Sequence, residues 1–300
     1  MRALIFALML ITQPDLHFEI EDEREARDNE LRSPDYASPL TAVDQVMIEE
    51  GGYALIHLCA DRVQFKVSAG CSPIAEIQFD AGKFLALPMR RTKGVWGPGT
   101  PFTRELSITP GKSDIRGRLL LTEPEPASGY TLFFSLQGGM GRVMLHNTRA
   151  ETLTLFEGLN YFDIDLQYHY VVKIEKAAQQ ETIEMATTQG LQKKFRRLGT
   201  VPFETPEGQR QLSIFSPVDS PQQLFVPFRD TTNGEESYAI GRYLYLKQGP
   251  DPATYIIDFN RAFNPYCAYS SQYNCPYPPK ENHLDIPIPA GEKIFRTDEH

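Results

Sequence analysis

The chain has 300 residues, enough for one large domain or two modest ones, and its 41% hydrophobic and 23% charged residues are typical of a soluble globular protein. Its formal net charge of −9 argues against a nucleic-acid partner, because such a surface repels phosphate backbones. The 23 Pro and 21 Gly, together with 14 Tyr and 18 Phe, favour short strands joined by turns.

The N-terminus joins a basic residue, Arg2, to an apolar run from Ala3 to Ile11. This pattern is typical of the start of a secretory signal, although no small-x-small cleavage site follows it. The run is too short to cross a membrane as a helix, so we predict no transmembrane segment. We expect residues 1–17 to be a signal segment and the protein to be periplasmic or secreted. The alternative is a buried N-terminal segment in a cytoplasmic protein.

Residues 18–31 are the best helix candidate, because they are rich in Glu, Arg and Ala and because Pro34 follows them. Their seven acidic and two basic residues indicate either a solvated helix face or an arm that contacts a partner. A second short helix is predicted for residues 41–50, where apolar residues recur at helical spacing. Residues 18–50 thus form a predicted N-terminal helical segment.

The four cysteines fall in two local pairs, Cys59 with Cys71 and Cys267 with Cys275. Neither spacing is that of a structural zinc site, and we predict neither a metal site nor a cofactor. An even number of Cys in close pairs agrees with an oxidising compartment and favours a local disulfide in each pair. The sequence alone also allows the other connectivities and four reduced thiols.

Period-two alternation of apolar and polar residues begins at Tyr53 and recurs to Phe259. It predicts a first β module over residues 51–165 and a second over residues 166–300, both antiparallel and resembling sandwiches or barrels. The predicted strands of the first module are residues 53–58, 63–67, 74–79, 84–87, 119–122, 130–136, 142–147 and 153–156. Those of the second module are residues 182–186, 191–204, 211–215, 224–229, 238–246 and 254–259, after an extended stretch over residues 161–174.

Four smaller motifs have plain structural interpretations. Asn233-Gly234 predicts a hairpin with a type I′ turn. The glycine-rich residues 137–141 lie between two predicted strands, which favours a hairpin turn over a phosphate site. Asp163, Asp165 and His169 have the spacing for a metal, but an exposed polar strand is the simpler interpretation. The basic cluster of residues 193–197 is expected to be a solvated strand edge.

Residues 256–292 have the most unusual composition in the chain, with four Asn, two Cys, four Tyr and six Pro. In the predicted strand, Asp258 and Asn260 point to one face and Arg261 to the other. Arg242 or Arg261 is expected either to pair with Asp258 or to bind a ligand carboxylate. The alternative is an internal network of Asp, Arg and Asn that holds an irregular loop.

A set of motifs runs through the second module: they are Phe228-x-Asp230, Asn233-Gly234, Gly241-Arg242, Asp258-Phe259-Asn260-Arg261-Ala262-Phe263-Asn264-Pro265, Cys275-Pro276 and Ala290-Gly291-Glu292-Lys293. The set closely resembles a bacterial family, domain-of-unknown-function family 1684, and the resemblance covers about residues 20–295. The chain departs from the usual pattern of that family at Tyr266, where the family shows Pro, and at His283, where it shows Arg. The resemblance implies a fold and a candidate site but no reaction.

Three functions follow from these patterns. The preferred one is a ligand- or partner-binding protein that uses the surface of residues 258–283 to hold a small molecule, a glycan or a protein. The candidate contacts are Asn260, Asn264, Tyr266, Tyr269, Asn282 and His283.

The second function is a hydrolase-type enzyme in which a carboxylate acts as acid or base and an arginine stabilises charge. Its candidate residues are Asp258, Asp230, Arg242 and Arg261. The third is a structural or assembly subunit, in which the same residues only stabilise the fold.

Overall fold

The computed structural model describes residues 13–34, 38–60, 62–89, 93–96, 100–101, 105–107, 117–123, 127, 129–218 and 221–295. These residues are mainly β, as predicted, and they form two α-helices, α1 (Gln13–Arg32) and α2 (Glu151–Thr154). Helix α1 confirms the helix predicted for residues 18–31. Residues 1–12 of the candidate signal segment lie outside the described residues.

Two antiparallel sheets form the first module. Its strands are β1 (Ala42–Ile48), β2 (Gly52–Leu58), β3 (Val63–Gln64), β4 (Ser72–Asp80), β5 (Lys83–Pro88), β6 (Lys93–Trp96), β7 (Thr100–Pro101), β8 (Glu105–Ser107), β9 (Gly117–Glu123), β10 (Tyr130–Gln137) and β11 (Met140–Asn147). The strand orders are β1-β11-β10-β9-β6-β7 and β3-β2-β4-β5-β8. The sheets share one apolar core, where the ring centroids of Phe84 and Phe134 lie 5.1 Å apart across the interface. The module is therefore a sandwich.

The second module also packs two antiparallel sheets around an apolar core. Its strands are β12 (His169–Val172), β13 (Glu175–Ala186), β14 (Gln192–Thr205), β15 (Gly208–Pro217), β16 (Phe225–Phe228), β17 (Arg242–Tyr245), β18 (Lys247–Gln248) and β19 (Tyr255–Asp258). The strand orders are β13-β14-β15-β16-β17 and β12-β19-β18. The extended C-terminal segment adds alternate buried side chains to this core, which are Leu284, Ile286, Ile288 and Ala290.

Two elements differ from the sequence prediction. The helix predicted for residues 41–50 is wrong, because β1 pairs with β11 from Ala42 to Ile48 and belongs to the first sheet. The strand predicted for residues 153–156 is also wrong, since α2 ends at Thr154 and Phe156 packs with Leu31 of α1. In both places tertiary packing outweighs a short apolar pattern that fits either period.

The two glycine-containing turns have different outcomes. Gly138 and Gly139 both have positive φ and join β10 to β11, which confirms the predicted hairpin turn. The predicted type I′ hairpin at Asn233-Gly234 is wrong, because Asn233 does not adopt positive φ. Its Oδ1 instead accepts from the Asp230 amide at 2.8 Å, and its Nδ2 donates to Ser237 Oγ at 2.8 Å. Asn233 thereby organises the longer loop between β16 and β17.

Of the two predicted cysteine pairs, one is a disulfide in this structure. Cys59, which follows β2, is bonded to Cys71, which precedes β4. The bond closes the end of the β2–β4 pair, next to the short strand β3. Cys267 and Cys275 are present as thiols.

Candidate functional site

The polar residues at the end of β19 form a buried network around Asp258. Its Oδ1 accepts from the amide and the Nδ2 of Asn260, at 3.1 and 2.9 Å. Its Oδ2 lies 3.1 Å from Nδ1 of His169 and accepts from Nε of Arg261 at 3.0 Å. Asn260 extends the network, because its Nδ2 donates to the Asp165 carbonyl at 2.9 Å and its Oδ1 accepts from the Asp165 amide at 2.9 Å.

The hydrogen bonds decide the pKa of Asp258. Burial by itself raises the pKa, but the bonds from His169, Asn260 and Arg261 outweigh it, so the net pKa lies below the usual value. The carboxylate therefore stays ionised and holds its partners in place. A general base near neutral pH needs the opposite shift.

Arg261 points toward Asp258, and the predicted opposite orientation is wrong. The strand stops at Asp258, and residues Phe259–Arg261 form a 3₁₀ turn that brings positions three apart onto one side. The guanidinium then reaches α1, where its Nη2 donates to Glu19 Oε1 at 2.9 Å and its Nη1 bonds Glu23. The acidic helix is thus fastened to the second module through these carboxylates.

Asp230 and Arg242 form a second buried centre. Both side chains are fully buried, and Nη2 of Arg242 donates to Asp230 Oδ2 at 2.7 Å. The same guanidinium donates to the Ile288 carbonyl at 2.8 Å and to the Ala290 carbonyl. Asp230 Oδ1 also accepts from the amide and hydroxyl of Thr232, at 2.9 and 2.6 Å.

Glu292 is the third buried centre and was not predicted. Its carboxylate bonds the Arg27 guanidinium and accepts from the Asn264 amide at 2.7 Å and the Tyr269 hydroxyl at 2.5 Å. Burial and the Glu292 charge raise the pKa of the Tyr269 phenol well above its usual value. Burial lowers the pKa of Arg27, but Glu292 outweighs it and the net pKa is raised. Asn264 also donates through Nδ2 to the Lys293 carbonyl at 2.7 Å.

Asn282 replaces a missing piece of strand pairing. Strands β15 and β16 pair directly at Phe215 and Phe225. Beyond that point the Asn282 side chain lies between them: its Oδ1 accepts from the Ser213 amide at 2.7 Å, and its Nδ2 donates to the carbonyls of Ser213 and Pro227, at 2.9 and 2.8 Å. Asn282 is fully buried.

A small cavity of about 150 Å³ separates α1 from the second module. Asn260 and Arg261 line it together with Arg24, Tyr161 and Glu292. Arg24 spans the gap, because its Nη1 donates to the Phe162 carbonyl at 3.0 Å and its Nη2 to the Asn260 carbonyl at 3.2 Å. The cavity has room for a few water molecules.

A much larger cleft, about 1130 Å³, lies between the two modules. The β10–β11 hairpin of the first module contributes Leu136, Gln137 and Gly138, α1 contributes Arg27, and the second module supplies the remaining wall. Seven aromatic rings line the cleft, namely Phe195, Phe225, Tyr243, Tyr245, Phe263, Tyr266 and Tyr273. Its lining is mainly apolar, as in small-molecule sites, and its volume lies slightly above their usual range of about 300–1,000 Å³.

The charges in this cleft have one sign. Among the described residues that line it, the charged ones are Arg27, Lys193 and Lys194, and no carboxylate is among them. Lys193 Nζ donates to the Asn274 carbonyl at 2.9 Å, while Lys194 lies 3.8 Å from Glu184 in an exposed pair. Such an exposed pair is weak. The charged residues among this described lining are therefore all cationic even though the chain is acidic.

A pair of thiols adjoins the cleft. Cys275 lines it, and the Cys267 amide donates to Cys275 Sγ at 3.2 Å. The predicted disulfide between these two residues stays a prediction, because the structure holds both as thiols in contact.

Comparison with known families agrees with the motifs of the second module. The sequence profile of the family described as "Protein of unknown function (DUF1684)" matches residues 154–293. The chain belongs to the DUF1684 family. The match includes all three buried polar centres and the loop that carries Cys267 and Cys275.

Among solved structures, the DUF1684 chain is similar to an uncharacterized protein of Haloarcula marismortui. The two sequences are 35% identical, the similarity covers 48% of this chain and 80% of the other, and the TM-score is 0.41. A comparison with curated proteins finds no match. No helix in the described part of the chain is long and apolar enough to cross a membrane.

The DUF1684 signature thus has two parts with different positions. Its Asp, Asn and Arg residues, which include all four catalytic candidates, bond one another, backbone groups and, in the case of Arg261, carboxylates of α1. Its later residues, from Pro265 to Pro276, line the cleft through Tyr266 and five others. Tyr269 is buried on Glu292, and His283 is exposed beyond the cleft, with Nε2 at 3.1 Å from the Pro278 carbonyl.

Sequence reasoning did not find Arg27, Glu292 or Lys193. The basic residues 193–197 were expected at a solvated edge, but Lys193 faces the cleft. One signal was available: Lys193 and Phe195 are two positions apart in β14, so their side chains point to the same face of the strand. No local pattern marks Arg27, because it lies in an acidic helix whose partner is at the far end of the chain.

Proposed function

We propose that this protein binds a small molecule with a flat apolar body and an acidic group in the cleft between its modules. The observation that carries the proposal is the combination of seven aromatic rings with charged lining residues that are all cationic, in a chain of net charge −9. The site uses the Tyr266–Pro276 part of the predicted surface of residues 258–283.

The aromatic lining supports an apolar body. The Tyr266 and Tyr273 rings lie 5.1 Å apart edge to face, and the Tyr245 and Phe263 rings lie 5.7 Å apart and nearly parallel. Both pairs leave flat, amphipathic surfaces along the cleft. Aromatic side chains provide large contact areas at low entropic cost, and tyrosine adds a polar end. A ligand of drug-like size fits the available volume.

The lysines support an acidic group. Arg27 is paired with Glu292, and the cleft lining also contains the ammonium groups of Lys193 and Lys194, whose positive charge a ligand would meet. Lys193 is held by the Asn274 carbonyl, which fixes its ammonium group beside the aromatic wall. An ammonium group in a partly desolvated cleft favours a carboxylate, sulfonate or phosphate ligand.

The hydrolase alternative has less support. Asp258 and Asp230 do not line the cleft, and their oxygens are occupied by hydrogen bonds from protein groups. The lowered pKa of Asp258 also suits a structural anion better than an acid–base catalyst. These positions support the structural interpretation for the polar half of the signature.

Export remains part of the proposal. Its support is the basic and apolar N-terminal run together with the Cys59–Cys71 disulfide, a bond that is typical of oxidising compartments. Cell fractionation of the protein made with and without residues 1–17 tests it. Retention of both forms in the cytoplasm would contradict export.

Two fluorescent probes with the same ring body test the binding proposal. We expect saturable binding of 8-anilinonaphthalene-1-sulfonate, which is anionic, and weaker binding of the neutral N-phenyl-1-naphthylamine. Lys193→Gln should weaken the anionic probe about tenfold, or about 1.4 kcal/mol, and leave the neutral probe nearly unchanged. Tyr273→Ala should weaken both probes.

Matched controls come from outside the cleft. Lys173→Gln removes an exposed lysine that directly follows β12, and Tyr277→Ala removes an exposed ring just after the Cys267–Cys275 loop; neither residue lines the cleft. Neither should change the affinity for either probe. Equal losses for the two probes in Lys193→Gln would rule out recognition of the acidic group. Binding unaffected by Tyr273→Ala would place the ligand elsewhere.

A further inference from the structure

Cys275 is held in a fixed position against Cys267. Its amide donates to Thr188 Oγ1 at 3.1 Å, and its carbonyl accepts from the Thr188 amide at 2.9 Å. These bonds fasten Cys275 to the turn between β13 and β14. Cys267 lies in the 3₁₀ turn Tyr266–Ala268, and its amide points at Cys275 Sγ from 3.2 Å. The two sulfurs therefore approach each other on two anchored segments.

The surroundings of the two sulfurs differ. The pKa of Cys275 is lowered by the hydrogen bond from the Cys267 thiol, by the Cys267 amide and by the charges of Lys193 and Arg142. The pKa of Cys267 is raised, first by the same hydrogen bond and then by burial. Cys275 is thus the sulfur that ionises more easily, and it is also the one that lines the cleft.

We propose that Cys267 and Cys275 form a reversible redox pair, in which Cys275 attacks a low-molecular-weight disulfide that enters the cleft and Cys267 resolves the product. The assignment rests on the contact between the thiols and on the cleft, which Cys275 lines and Cys267 does not. It does not depend on which ligand the cleft binds.

The reaction has two balanced steps. In the first, the Cys275 thiolate attacks one sulfur of R–S–S–R, a bond forms between Cys275 and that sulfur, and RS⁻ leaves and takes the proton that Cys275 gave up. In the second, Cys267 loses its proton and attacks Cys275 Sγ, and the second RS⁻ leaves and takes that proton. The products are the Cys267–Cys275 disulfide and two RSH. The small disulfide is reduced by two electrons and the protein is oxidised by two.

The cleft suits a peptide-like disulfide. Its volume of about 1130 Å³ accommodates a tripeptide disulfide in part, and Lys193 and Lys194 match the carboxylates of such a molecule. Glutathione disulfide is therefore the probe for the test.

The test is oxidation of the full chain followed by peptide mass mapping, which reads the Cys59–Cys71 pair separately. In the native sequence we expect glutathione disulfide to produce a bond between Cys267 and Cys275. In Cys267→Ser a glutathione adduct should accumulate on Cys275. In Cys275→Ser an adduct on Cys267 should form at least about tenfold more slowly, because that sulfur is less ionised and does not line the cleft.

Two further measurements separate reactivity from folding. Lys193→Gln should slow adduct formation in the Cys267→Ser background, and Lys173→Gln should not. The native chain needs no substitution, so a failure to form the Cys267–Cys275 bond under conditions that oxidise a free peptide dithiol overturns the proposal. Equal rates for the two Ser variants overturn the assignment of Cys275 as the attacking thiol.

Discussion

Arg242 donates a 2.7 Å hydrogen bond to Asp230 at a point where both side chains are fully buried. The pair joins three parts of the second module, because Arg242 begins β17, Asp230 follows β16 and the guanidinium also bonds carbonyls of the C-terminal segment. Its guanidinium carbon lies 5.3 Å from the centre of the Phe228 ring and 5.6 Å from that of Phe162. Removing one partner of such a buried pair costs more free energy than the intact pair contributes to stability.

Replacing Arg242 by Met tests this role. The change leaves the Asp230 carboxylate buried without its counter-charge, so we expect the free energy of unfolding to fall by about 3–5 kcal/mol. Urea unfolding followed by circular dichroism measures it. Adding Asp230→Asn should restore part of the loss, since it removes the uncompensated charge.

The control for this prediction is Arg210→Met. Arg210 pairs with Asp285, whose side chain is 79% exposed, and exposed pairs contribute about 0–1 kcal/mol. If Arg242→Met cost no more than Arg210→Met, the buried pair would not hold the module together.

The strand pattern of the fold could be read from the sequence, whereas the cleft could not. Alternation predicts β4, β10 and β14 because buried residues alternate with more exposed ones along much of each strand. The cleft wall combines residues near positions 137, 193, 245 and 273, which no local pattern connects. Only the packing of two sandwiches against each other brings them together.

Helix α1 shows a second reason why the sequence predicts the elements of the fold but not how they pack together. The sequence predicts the helix but not its partner, because α1 has few apolar residues and attaches through Arg24 and Arg27. Those arginines bond backbone carbonyls and one distant carboxylate, and neither target has a sequence signal. The placement of Asp258 beside Asn260 was predictable, since both lie near one strand end, whereas the return of Arg261 required the 3₁₀ turn.

The lowered pKa of Asp258 predicts a pH dependence of stability. A carboxyl whose folded pKa is depressed adds stability that is present above its unfolded pKa, about 3.9, and is lost as the pH falls through the folded value. Asp258→Asn should therefore be clearly less stable than the native chain at pH 6. The difference should shrink as the pH falls below about 4.

Urea unfolding at several pH values from about 6 to about 3 measures this difference. Asp22→Asn, on an exposed part of α1, is the matched control and should change stability by about 0.5 kcal/mol or less at any of these values. A gap between native and Asp258→Asn that stays constant with pH would show that the charge of Asp258 contributes nothing.

Substitutions of Asn282 can separate the contribution of its hydrogen bonds to stability from that of its packing. Asn282→Asp keeps the shape but replaces the Nδ2 donor by an oxygen that faces the carbonyls of Ser213 and Pro227. We expect it to lower the free energy of unfolding by about 3 kcal/mol or more, and to be at least as harmful as Asn282→Ala. Thermal and urea unfolding compare the two. A mild effect of Asn282→Asp would mean that the side chain only fills space, and His283→Ala, at the exposed neighbour, serves as control.

Gly291 positions Glu292 beneath α1. The steric cost of a Cβ at Gly291 can be separated from the cost of its backbone conformation. Gly291 and Gly190 have similar positive φ, 81° and 78°, so alanine costs about 1–2 kcal/mol of strain at either position. At Gly190 a Cβ meets open space, but at Gly291 it would lie 2.6 Å from the Ala262 carbonyl oxygen and 2.7 Å from that of Phe259. Gly291→Ala should therefore cost about 1–3 kcal/mol more than Gly190→Ala. Equal losses in urea unfolding would show that the close approach of these backbones is relieved without cost.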